Sequence, residues 1–159
     1  MNHITILGIG SPFGDDKVGW EVIERLSQNT ELAKRIPAYL RLEHCTHPGL
    51  DLLEFLQDAN RVILIDAVRT GAALGTCHQF SLNEIEPLYR SLSTHGIGVG
   101  YALKLACTLQ LLPENITLYG IEIGDISYTE GLSQPVQQAV IQLGDVLAAE
   151  MLLTLPQPS

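Results

Sequence analysis

Residues Arg61 to Asp66 read RVILID. Four consecutive aliphatic residues cannot alternate between core and solvent. A strand made of them is therefore buried on both faces, as in the centre of a parallel sheet. Such a sheet needs helices on either side, and the rest of the chain supplies the pattern. Ile4 to Leu7 is a short apolar strand ended by Gly8. Asp16 to Gln28 is a helix, with Val18, Val22, Ile23 and Leu26 at helical spacing. Ala38 to Cys45 alternates, Leu40 and Leu42 against Arg41 and Glu43, and reads as a half-exposed strand. A helix follows over Leu50 to Leu56, and a weaker, more polar edge strand over Thr76 to Leu82. Gly96 to Leu111 is a helix whose Gly98 and Gly100 point to close packing. Ile116 to Ile123 is a strand, and Gln134 to Leu153 a final helix with Pro135 in its first turn. No element is assigned between Leu82 and Ser93. Strands alternating with helices define an α/β domain with a mainly parallel sheet. One domain over 1–155 and a flexible tail over 156–159 is the expected organisation for 159 residues.

Charge and cysteine content narrow the function. A net charge of -9 gives no basic face for a phosphate backbone or an anionic membrane. No signal peptide is visible, and no unbroken apolar run is long enough to span a bilayer. Cys45, Cys77 and Cys107 have no CxxC spacing, so reduced, core or half-buried thiols are expected. A cytoplasmic protein is the simplest fit.

In an open α/β sheet ligands lie beyond the carboxyl ends of the strands. Three residues fall there or reach it. Asp16, beside Asp15, follows the first strand; taken alone it is as well explained as an acid at a helix start. Asp66 closes the aliphatic run, as a turn residue or as a functional group. His95, in STHG, stands before a helix, as a locally bonded ring or as a metal ligand. Together, two carboxylates and an imidazole make an open site for a divalent metal used as a Lewis acid. His44 and His47 read as exposed loop histidines near that site. A phosphate loop is the competing reading of GIGSPFG, but this is GxGxxxG and the helix behind it carries two acids. Glu43 is the one residue that fits a ribose-binding acid in that alternative.

The motifs as a set resemble the hydrogenase maturation proteases. GIGSPFGDDKVG resembles the family's glycine-rich opening, which ends in paired acids. HPGLDLLEFLQDANRVILIDAV is similar to its second block, STHGIGVG to its histidine block, and YGIEI with GLSQPV to its last strand and helix entry. The match runs over nearly the whole chain, in order. Ser11 stands where the family usually has Asn, the loop before Asp15 is one residue shorter, and Lys17 replaces a common Gly.

The resemblance implies a three-layer α/β/α sandwich around a five-stranded sheet, with Thr76 to Leu82 as its one antiparallel strand. It implies an endopeptidase that trims the C-terminal extension of the large-subunit precursor of a nickel-iron hydrogenase. Asp16, Asp66 and His95 become both the metal-site and the catalytic residues, with nickel supplied by the substrate. Asp15 is then a candidate proton shuttle. No nucleotide, nucleic acid or membrane partner is implied, and the free protein is expected to be a monomer. A nickel-sensing chaperone without activity and a dinucleotide enzyme are the alternatives.

Overall fold

The fold is seen in a computed structural model that describes residues 3–46, 49–91, 97–125 and 131–159. Five strands form one sheet: β1 (Ile4–Ile9), β2 (Leu40–Cys45), β3 (Arg61–Val68), β4 (Cys77–Ser81) and β5 (Asn115–Glu122). Their order is β2-β1-β3-β5-β4. β1 pairs in parallel with β2 and β3, β3 pairs in parallel with β5, and β4 runs antiparallel to β5 at the edge. The three central strands carry the aliphatic runs, because only there are both faces covered. The polar β4 sits at an edge, as its composition requires.

The helices are α1 (Val18–Ser27), α2 (Thr30–Ala33), α3 (Leu50–Leu56), α4 (Leu82–Ser91), α5 (Ile97–Thr108) and α6 (Gln134–Thr154). The alternation of side chains along the strands divides the apolar residues between two cores. Ile4, Ile6, Ile63 and Ile65 face α1, α2 and α6. Leu7, Ile9, Val62 and Leu64 face α3, α4 and α5. The result is the three-layer α/β/α sandwich. α6 is, among the described residues, the one helix long and apolar enough to cross a membrane. Its apolarity has an explanation within the fold, since Val136, Val140, Leu143, Leu147 and Met151 pack into the first core.

Several expectations need correction. α4 lies where no element was assigned. Leu82, Ile85 and Tyr89 recur at helical spacing, but Pro87 within the helix interrupts the signal. α2 is also unanticipated; the Asn29 side chain caps it, accepting from the Glu31 and Leu32 amides at 3.0 Å. Gly100 is not a close contact, for a Cβ there would lie an ordinary 3.8 Å from Tyr89. Of the cysteines only Cys45 is buried; Cys77 and Cys107 are exposed. Residues 156–159 are exposed beyond the end of α6.

Candidate active site

The opening glycines do a different job from the one a phosphate loop would give them. A Cβ on Gly8 would lie 2.3 Å from the carbonyl oxygen of Gly19. A Cβ on Gly19 would lie 2.3 Å from the carbonyl oxygen of Ile9 and 2.6 Å from that of Ile65. Helix and sheet therefore meet backbone to backbone, which only glycine permits. This contact seats the start of α1 on the carboxyl ends of β1 and β3. The residues just before α1 form a 3-10 turn, Gly14–Lys17, packed beside β3. Gly14 enters it at φ 48°, a conformation that favours glycine.

The two acids of that turn part ways. Asp16 is 7% exposed and points into the protein. Its carboxylate accepts a short hydrogen bond from the Ser11 hydroxyl, and its amide donates to the Phe13 carbonyl at 3.0 Å. Ser11 is thus bonded directly to one of the two acids. Asp16 does not cap α1, whose N-cap position is Lys17 without a side-chain cap bond. Asp15 turns the other way. Both of its oxygens accept from Ser133, one from the amide and one from the hydroxyl, each at 2.8 Å. Ser133 is the N-cap residue of α6, so Asp15 ties the turn to the start of the last helix. This engagement occupies both Asp15 oxygens.

Asp66 lies near the end of β3 and is 1% exposed. Its Oδ1 accepts from the Ala67 amide and its Oδ2 from the Tyr89 hydroxyl, both at 2.8 Å. Burial pushes its carboxyl up to about 8. The two hydrogen bonds favour the charged form but do not offset burial, and the nearby charge of Asp16 adds to the rise. Burial and the Asp66 charge together raise the Tyr89 phenol well above its ordinary range.

The structure brings Asp16 and Asp66 to the same edge, over two neighbouring parallel strands. His95 and His47 lie outside the described residues. Among the described residues no group of three His, Cys, Asp or Glu side chains is placed to hold a metal. His44 is exposed on β2 and meets the Trp20 ring edge-on at 6.0 Å. Glu43, the ribose candidate, pairs with Arg41 at 2.9 Å. A groove of about 470 Å³ opens on the same rim, lined by Gly14, Asp15, Leu74, Asp125 and Ser133. Lys17 lines a separate groove between α1 and α6, together with Glu21 and Arg25.

Sequence reasoning missed Tyr89 and Ser133, the partners of the two acids. It also missed Glu122, a buried carboxylate at the end of β5. Glu122 accepts from the Thr70 amide and hydroxyl at 2.7 and 2.5 Å, from the Gly71 amide at 3.3 Å and from His78 Nε2 at 3.0 Å. The helical spacing of Ile85 with Tyr89 was the available signal for the first. For Ser133 and Glu122 the sequence carries none.

Fold and site together define an α/β/α protein with paired carboxylates, one deeply buried, at the carboxyl edge of its sheet. The chain belongs to the hydrogenase maturation protease family, whose model matches residues 21–150. That span includes Asp66 and His95 and begins after the Asp15-Asp16 turn. Among curated relatives, the hydrogenase expression/formation protein HupD of Rhodobacter capsulatus is 27% identical over 136 residues, 84% of this chain and 63% of its own length. The corresponding HoxM protein of Azotobacter vinelandii is 29% identical over 139 residues, 85% of this chain and 65% of its own. The chain thus spans somewhat under two thirds of these relatives. Among solved structures, the hydrogenase maturating endopeptidase HybD from Escherichia coli superposes with a TM-score of 0.80 at 23% identity, covering 94% of this chain and 91% of that one. The maturation protease HycI of Thermococcus kodakarensis gives 0.72 at 24% identity, covering 96% and 94%. These likenesses establish the fold.

Proposed function

We propose that the protein is an endopeptidase that removes the C-terminal extension of a nickel-loaded hydrogenase large-subunit precursor. The observation that carries this reading is the pair of acids at the rim. Asp16 and Asp66 are near enough for the charge of one to raise the other, no basic residue is bonded to either among the described residues, and Asp66 is kept largely protonated by burial and by its neighbour. Two carboxylates in that state are stabilised by an arriving cation, which removes the cost of their like charge. In this reading Asp16, Asp66 and His95 meet the nickel of the precursor. That metal supplies Lewis acidity, to polarise the scissile carbonyl or to activate water. The chain's own part is to orient the carboxylates and to keep them dry. The adjoining groove, with its exposed Leu74 and Asp125, offers a place for the polypeptide beside them.

The family's substrate type and the rim position of the acids support the reading together. Nickel enters as part of the substrate rather than as a resident ion, and a cytoplasmic location accords with that substrate. The glycines at β1 are accounted for by helix–sheet contact, which leaves the dinucleotide alternative without a motif of its own. Incubation of the purified protein with nickel-loaded precursor separates peptidase from chaperone. A large subunit shortened at its C-terminus, and left intact when nickel is withheld, is expected. A stable complex without change of mass would refute the peptidase reading.

A further inference from the structure

The described part of the site contains one polar group that packing does not explain. Tyr89 is 1% exposed and sits in the core between the sheet and α4 and α5, among Ile85, Val99 and Leu103. Phenylalanine would fill the same space, and a buried phenol hydroxyl is unfavourable unless it finds a partner. Its partner is the Oδ2 of Asp66 at 2.8 Å. The Ala67 amide holds the other oxygen at the same distance. One donor on each oxygen fixes the rotation of the carboxyl group about its terminal torsion, which is otherwise broad. The ring in turn cannot shift, because it is locked in a close-packed core.

We infer that Tyr89 is a positioning residue of the nickel-recognition site, holding the Asp66 carboxylate in the orientation in which it meets the substrate's metal. The inference rests on the proposed function. Outer partners of metal-binding carboxylates act in this way, and their loss weakens metal affinity or activity about 10- to 100-fold. A tyrosine that merely filled the core would be replaceable by phenylalanine without such a loss.

The test compares wild type with Tyr89→Phe, Asp66→Ala and the double variant. Urea unfolding of the four proteins gives the coupling between the two side chains without any metal. Coupling of about five- to tenfold in the unfolding equilibrium constant is expected, as for a buried hydrogen bond to a charged or acidic partner. Calorimetric titration with Ni²⁺ alone, and cleavage of nickel-loaded precursor, give the functional readouts. Tyr89→Phe is expected to fold, to bind Ni²⁺ at least about tenfold more weakly, and to lose kcat more than KM. Nickel binding and cleavage by Tyr89→Phe equal to wild type would overturn the inference, as would absent coupling. If the wild type itself neither binds nickel nor cuts the precursor while the coupling is present, the proposed function fails, and the nickel role of Tyr89 with it.

Discussion

Asp66 and Glu122 occupy nearly equivalent places and behave in opposite ways. Both lie toward the carboxyl ends of adjacent parallel strands, where Val68 of β3 pairs with Glu122 of β5. Both are almost completely buried, at 1% and 2% exposure. Burial raises the carboxyl of each. At Glu122 the bonds from Thr70, His78 and Gly71 outweigh it and hold the group below its ordinary range. At Asp66 two bonds and a neighbouring acid leave burial in command, and the carboxyl rises to about 8. Lack of solvent contact alone therefore does not distinguish a site from a structural pin. Asp66 lies deep in the protein and Glu122 close to its surface, so burial penalises Asp66 more, and the fold supplies Glu122 with more donors. Glu122 clasps the loop after β3 against β4 and is complete. Asp66 has two donors among the described residues, too few to offset its depth.

The contrast breaks or holds on substitution. The largest effect is expected for Asp66→Asn, with cleavage falling by on the order of 10²-fold or more, beyond the loss outer-sphere partners cause. Assay of precursor processing checks it. Glu122→Gln should instead cost about 2–3 kcal/mol of stability through its charged hydrogen bonds. Urea denaturation measures that, and the folded variant should still cut. A folded Glu122→Gln protein without activity would erase the distinction.

The pH dependence sharpens the same comparison. Asp66 has a folded pKa above its unfolded value near 4, so between about pH 4 and 8 the folded state binds the extra proton. Stability contributed by this group is present at low pH and is lost as pH rises toward 8. Wild type should therefore lose about 1.4 kcal/mol per pH unit relative to Asp66→Asn between pH 5 and 7, and the variant should be the more stable at pH 8. Glu122 has the opposite sign. Its contribution is present above the ordinary carboxylate range and disappears as pH falls through its lowered folded pKa. Parallel melts of the three proteins across pH read both slopes. The smallest effect is expected at Asp15, the neighbour of Asp16 in the 3-10 turn. Asp15→Ala removes the tie to Ser133 and should cost about 1 kcal/mol, with cleavage little changed, since this acid serves the start of α6.

What the sequence disclosed follows from how far each signal reaches. The central strands were legible because burial on both faces demands continuous aliphatic runs, as in RVILID. The placing of Asp16 and Asp66 at the carboxyl edge of the sheet was legible because each stands directly after such a run or in the turn behind it. The partners of Asp66, Asp15 and Glu122 were not. Tyr89 belongs to α4, whose Pro87 hides the period. Ser133 lies 118 residues from Asp15, and His78 lies 44 residues from Glu122. No local pattern records contacts made only by sheet closure. The glycines of GIGSPFG suggest a phosphate loop in sequence, whereas Gly8 makes room for Gly19 of the facing helix. The antiparallel role of β4 came from family resemblance, because its alternating, half-polar residues fit an edge strand of either direction.

The most direct test of the account sets the two buried acids side by side. Intact-mass measurement of a nickel-loaded hydrogenase large-subunit precursor, after incubation with wild type, Asp66→Asn or Glu122→Gln, reads processing without any reporter. A shortened subunit with wild type and with Glu122→Gln, and an intact one with Asp66→Asn, is the predicted result. A precursor shortened by Asp66→Asn at the wild-type rate would contradict it.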